Sequence, residues 1–357
     1  MHRVAITGMG AICALGHDAR STWTAMREGR VGIGPIENIP TELLNVKIAA
    51  EVRGFDPATH FDAKKLPLLD RVSQFALVAA REAVAQSGLE FTASGLGERT
   101  ACIVGTGIGG ENSHNEQSRR FFGDKNPRVH PLMILRVMAN AQACPIGIAV
   151  GLTGPSFAVV SACASANHAM SQAFDMVRSG RVAVAVTGGT EACVTETTMK
   201  AWEAMRVVAD DTCRPFCRQR RGMVLGEGSG IFVLEEWEHA KARGATILAE
   251  FAGSGATADA IDMVFPAQAT VARAIELALI DAGLNPADVD YINAHGTGTP
   301  ANDPTESRAI RHVFGAQADK LAVSSTKSMH GHALGAAGAI ELVAAIGSLR
   351  DGVIAPT

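Results

Sequence analysis

Apolar residues along the chain fall into two kinds of run. Short continuous runs occur at Val4–Thr7, Ala101–Val104, Phe157–Val160, Val182–Thr187, Ile231–Leu234 and Val289–Ile292. They have the length of strands buried on both faces. Longer runs carry helical spacing. The spacing predicts a short helix over 18–29. It predicts a strong helix over Ser73–Ser87, with Phe75, Ala76, Val78, Ala79, Ala83 and Val84 in phase and Gly88 as the stop. Another helical run goes through Met170, Ala173, Phe174, Met176 and Val177 to Gly180. Residues 30–70 read as irregular, and 111–135 as a polar, partly helical excursion. Strands alternating with helices predict an α/β fold, with parallel or mixed sheets faced by helices.

The pattern repeats. Ala80–Leu89 is echoed by Ile275–Leu284; each helix ends at Gly-Leu and leads through a strand into Gly-Thr-Gly, at Gly105-Thr106-Gly107 and Gly296-Thr297-Gly298. The turn and helix from Ser161 to Gly180 are echoed by Ser325 to Gly352. A repeat on this scale is a duplication rather than a solenoid. It divides the chain into halves at 1–245 and 246–357. The glycines of Gly222–Gly230 precede a strand instead of following one, which argues against a dinucleotide loop.

Composition narrows the function classes. A net charge of −4 gives no basic field for nucleic acid. No apolar run is long enough for membrane insertion, and the chain enters a strand at once, so a cytoplasmic protein is expected. Seven scattered cysteines read as reduced thiols. Cys213 and Cys217 lack a second Cys/His pair at zinc spacing, so no metal site is expected.

Chemistry concentrates at predicted strand ends. The run into Val160 is followed by Ser161-Ala162-Cys163-Ala164-Ser165 and a helix, which puts Cys163 at a turn before a helix N-terminus. Free N–H groups and the helix dipole favour thiolate there. On this segment alone, a core-filling cysteine is an equally good reading. His295 follows the Val289–Ile292 strand. Lys327, His330 and His332 crowd a turn that opens an apolar helix. A thiol, two imidazoles and a lysine suit acyl transfer: the cysteine carries a thioester and imidazole N–H groups stabilise an enolate.

Ser-Ala-Cys-Ala, Asn-Ala-His-Gly-Thr-Gly-Thr and Ser-Ser-Thr-Lys-Ser-Met-His-Gly-His with Leu-Gly-Ala-Ala-Gly together resemble the β-ketoacyl-acyl-carrier-protein synthases. The likeness is nearest the elongating type II group and its nodulation-protein-E branch; Trp202–Val207, Asp211–Phe216 and His330 carry the latter. It spans Val4 to Thr357. The resemblance implies a thiolase-like fold of two duplicated βαβαβ-type halves, stacked as α-β-α-β-α layers, and a homodimer. It implies decarboxylative condensation of malonyl-acyl carrier protein with an acyl chain on Cys163, in fatty-acid elongation or specialised acyl-chain synthesis. His295 and His332 would assist decarboxylation and hold the enolate. Lys327 would support them, with Glu341 as its ionic partner. Thr297 and Thr299 would bind the phosphopantetheine arm, which arrives on acyl carrier protein, so no resident cofactor is implied. Lys64, Lys65, Arg119, Arg120 and Arg206 are candidate carrier-docking cations. The family pattern continues past Thr357 into a Gly-Phe-Gly-Gly-Thr-Asn turn that supplies an oxyanion donor. On that comparison the sequence reads as truncated, with impaired activity expected. The competing readings are a coenzyme A-dependent thiolase-type enzyme and a non-catalytic ketosynthase-like dimer partner.

Overall fold

The structure, a computed structural model, describes residues 1–92 and 94–357. Six strands form the main sheet: β1 (Val4–Cys13), β2 (Thr100–Gly105), β3 (Ser156–Val159), β4 (Val184–Glu191), β5 (Gly228–Glu236) and β6 (Ala249–Phe251). Their spatial order is β3-β2-β4-β5-β1-β6. β2 runs parallel to β3 and β4, whereas β5 is antiparallel to β4 and β1, so the sheet is mixed. β6 pairs with Val4–Ile6, so one of the two edge strands of this sheet comes from chain beyond residue 245. A second sheet contains β7 (Tyr291–Asn293) and β8 (Ala322–Ser324), paired in parallel.

Five layers result. α1 (Arg71–Ser87) packs on β1 and β5 from one side. Asp70 caps it by accepting the Val72 N–H, and Gly88 closes it in the left-handed conformation. On the other side lie α2 (Ser165–Arg178) and α5 (Ala337–Asp351), which touch each other and the main sheet. α5 also meets β7, and α3 (Gln268–Ala282) and α4 (Asn302–Phe314) pack together beyond the second sheet. The α-β-α-β-α stacking expected of a thiolase-like fold is therefore present. Phe232, Leu234 and Ile340 are buried in the central core, each stabilising the fold by about 1.5–3 kcal/mol. Ile310, Phe314 and Leu321 seal the second sheet with Ile275, Val289 and Ile292.

Strand bounds shift at several places, β4 running on through Gly188 and Gly189 to Glu191, and two strands differ in kind from the sequence reading. β1 does not end at Thr7; it continues through Gly8 and Gly10 to Cys13, with a register shift between Ile6 and Gly8. A Cβ on Gly8 or Gly10 would lie 2.1 or 2.0 Å from the α1 carbonyls of Ala83 and Ala79. Those glycines permit close helix-on-sheet packing and do not break the strand. The second difference is β3. Its apolar run reads as a buried strand, yet it is a sheet edge paired only with β2; Phe157 is 39% and Val160 54% exposed. An apolar run alone does not say whether its neighbour lies in the same chain.

Candidate active site

Cys163 sits where the sequence places it, in a single 3₁₀ turn (Ala162–Ala164) between β3 and α2. Ala162 adopts φ +52°, the left-handed region that side chains other than glycine's rarely enter. Held strain of this kind costs on the order of 1–3 kcal/mol. Ser165 fixes the turn: its hydroxyl accepts the Ser161 N–H at 2.9 Å and donates to the Ala162 carbonyl at 2.6 Å. The strand before it leaves no slack, since a Cβ on Gly105 would lie 2.3 Å from the Ser165 backbone.

The second half brings its chemistry to this thiol. His332 Nε2 lies 3.0 Å from Cys163 Sγ. The His332 backbone is held by the first half: its N–H donates to Val224 O at 2.7 Å, and its carbonyl accepts the Gly226 N–H at 3.0 Å. Gly331, at φ +65°, lets this crossing happen; a Cβ there would lie 2.9 Å from Ala50 Cβ. The His295 ring stands edge-on to His332, with centroids 5.3 Å apart. Lys327 is fully buried and pairs with Glu341 of α5. Asn293 donates to Thr326 and to the Glu341 carbonyl, tying β7 to both elements.

Electrostatics keep the imidazoles neutral. Burial first, then the Lys327 charge, push the His332 pKa well down. The same two causes lower His295. Its ring still opens to solvent, so burial counts for less there than at His332. His330 is buried, with Nε2 2.9 Å from Thr326 Oγ1, and is pushed down to about 3. At Cys163 burial works against the helix terminus. Burial raises the thiol pKa, and Lys327 and the local backbone only partly reverse it. The base within hydrogen-bonding reach of this thiol is His332 Nε2. His332 Nδ1 has no partner among the described residues. The ring is free to present Nε2 as acceptor to the thiol or as donor to an oxyanion.

The 295 loop is held by residues the sequence reading passed over. Glu306, in the first turns of α4, accepts the N–H groups of His295 and Gly296 at 2.6 and 2.8 Å. Buried Asp303, three residues earlier, accepts those of Gly298 and Phe216 at 3.1 and 2.7 Å. Their signal is the i, i+3 acid spacing in Asp303-Pro304-Thr305-Glu306, directly after the motif. Thr297 and Thr299 lie on this loop, their hydroxyls 2.9 Å apart. The five docking candidates are exposed on the surface. Arg119 and Arg120 lie 3.9 and 3.6 Å from the carboxylates of Glu196 and Glu116, and Lys65 lies 3.6 Å from Asp62. Cys163, His295 and His332 also offer three donor atoms within 4.8 Å of one another, the one such set among the described residues. Lys327 beside them opposes a cation.

Residues 1–240 match the beta-ketoacyl synthase N-terminal domain, and residues 248–357 match its C-terminal domain. The chain belongs to the beta-ketoacyl synthase family. Within it, the chain is 48% identical over 357 residues to nodulation protein E of Rhizobium meliloti (strain 1021), covering 99% of this chain and 88% of that one. It is 41% identical over 363 residues to 3-oxoacyl-[acyl-carrier-protein] synthase 2 of Staphylococcus aureus (strain COL), covering 99% and 87%. The solved ishigamide ketosynthase/chain length factor superposes with a TM-score of 0.94 at 36% identity, over 100% of this chain and 88% of that one. This beta-ketoacyl synthase is thus a condensing enzyme by family, with a thiolase-like fold.

Proposed function

We propose that the protein is a 3-oxoacyl-[acyl-carrier-protein] synthase that uses Cys163 as its acyl acceptor. The observation that carries this reading is the convergence of Cys163, His332 and His295 beside buried Lys327. In the first stage the Cys163 sulfur attacks the thioester of an acyl carrier protein, with His332 Nε2 taking the thiol proton. The carrier's phosphopantetheine thiolate leaves and takes up a proton. In the second stage malonyl-acyl carrier protein loses carbon dioxide. The bond electrons move into an enolate whose oxygen is held by N–H groups of His295 and His332. The enolate carbon attacks the Cys163 thioester, the sulfur leaves, and a 3-oxoacyl carrier two carbons longer is released. Neutral imidazoles suit this role, because an imidazole already protonated cannot take the thiol proton.

Thr297 and Thr299 line the loop that would receive the phosphopantetheine arm. The arm arrives on its carrier, so this chemistry calls for no resident cofactor. Lys64, Lys65, Arg119, Arg120 and Arg206 would meet the acidic carrier. The exposed edge strand β3 supports pairing of two subunits along it, and Phe122, Ile134, Leu135 and Ile148 are further exposed apolar side chains. No helix among the described residues is long and apolar enough to cross a membrane.

Incubation with acyl- and malonyl-acyl carrier proteins tests the reading. Mass spectrometry should find an acyl adduct on Cys163 and a 3-oxoacyl carrier. An adduct formed only from coenzyme A thioesters favours the thiolase-type reading. Absence of both adduct and product favours a non-catalytic partner.

A further inference from the structure

We propose that Glu191 is a positioning residue that clamps the two halves of the protein together beneath Cys163; this rests on the roles given above to Cys163 and His332. Glu191 ends β4, and its side chain is fully buried. Oε2 accepts the N–H of Gly107 at 2.6 Å and that of Gly335 at 3.0 Å. Oε1 accepts the Ile108 N–H at 3.3 Å and the Thr106 hydroxyl at 3.2 Å. Residues 106–108 follow β2 in the first half. Gly335 comes three residues after His332 in the second. One carboxylate therefore spans both.

Among the described residues no lysine or arginine pairs with Glu191, so these four donors alone hold the buried acid. A buried carboxylate without a counter-ion costs stability, and burial raises its pKa to about 7, yet an apolar residue here would leave three backbone N–H groups unpaired. What the acid provides is a fixed separation. The surrounding backbones have no slack: a Cβ on Gly335 would lie 2.2 Å from Gly107 N, and one on Gly189 would lie 2.7 Å from Gly335 O. Leu334, next to Gly335 and held at φ +38°, packs in the same cluster as Cys163. A shift of Gly335 thus moves Leu334 and the His332 turn relative to the thiol.

Glu191→Gln turns one acceptor into an N–H donor facing N–H groups. The expected result is a fall in kcat on the order of 10²-fold, with KM for the acyl carrier changed less than about threefold. A second readout does not use condensation. Alkylation of Cys163 by iodoacetamide is measured with and without His332→Ala, in wild-type and Glu191→Gln backgrounds. If Glu191 sets the contact, His332→Ala alters the rate in the wild type and by less than about twofold in the variant. Equal factors in both backgrounds, or an unchanged kcat, overturn the proposal. Should the glutamine variant fail to fold, Glu191→Asp, which keeps the charge one methylene short, replaces it in both measurements. A wild-type chain that makes no 3-oxoacyl product defeats the condensation reading, and the alkylation cycle still decides the clamp.

Discussion

Two strand–turn–helix units meet at the centre of this protein, and they handle the same geometry differently. In the first, β3 leads through a single turn into α2, and its one reactive group is Cys163. Around it are small neutral residues and backbone donors. In the second, β8 leads through residues 325–336 into α5, and this longer turn carries Lys327, His330 and His332. The first unit relies on backbone strain at Ala162 and on Ser165. The second relies on a buried ion pair and on contacts borrowed from the other half, at Val224 and Gly226. Duplication supplied the scaffold twice. One copy has a short turn that aims a nucleophile, and the other has a longer turn that holds charge. A buried charge needs partners, so the longer turn is also the more deeply packed one.

The largest effect should fall on the neutral turn. Cys163→Ala should lower 3-oxoacyl product formation by on the order of 10³-fold or more, read by mass spectrometry. Unchanged turnover would remove the distinction between the two units. In the charged turn, Lys327→Met leaves Glu341 buried and alone. That should cost about 3–5 kcal/mol in urea denaturation, and Lys327→Met with Glu341→Leu should recover much of it. If the double variant is no better than the single, the pair does not carry the turn. His332→Ala and His295→Ala should each slow malonyl decarboxylation by about 10²- to 10³-fold. Only His332→Ala should also change Cys163 alkylation, because only His332 reaches the sulfur.

Acid sensitivity should be a property of the charged turn. The His330 pKa is about 3 in the folded protein, against about 6.5 unfolded. Between those values the unfolded chain binds more protons, so stability falls as pH is lowered below about 6.5. His330→Asn should flatten that slope by up to about 1.4 kcal/mol per pH unit. A steeper slope in the variant would contradict the assignment. The smallest effect is expected at the loop: Thr297→Val should raise KM for the malonyl carrier by roughly two- to tenfold, the worth of one hydrogen bond, with little change in kcat.

Much of the architecture was legible from pattern. The Ser73–Ser87 helix and its Gly88 stop, the duplicated Gly-Thr-Gly turns and the strand–Cys163–helix unit all follow from local spacing. So did the pairing of Lys327 with Glu341, through resemblance. Three things did not. Gly8 and Gly10 looked like a strand's end because their reason, the α1 backbone, lies more than sixty residues away. The run into Val160 looked buried because hydrophobicity does not say which surface will cover it. The helix terminus beside Cys163 is a local feature, whereas the burial that opposes it is not.

By itself, then, the sequence determined which residues could do chemistry and on which kind of element each would sit, because periodicity, caps and turn chemistry act over a few residues. Only the tertiary structure decided what those residues became. It set Cys163 3.0 Å from His332, kept the imidazoles neutral beside Lys327, hung the 295 loop on Asp303 and Glu306, and placed Glu191 between the halves. Those outcomes depend on desolvation and, at Cys163 and Glu191, on groups brought together from the two halves of the chain.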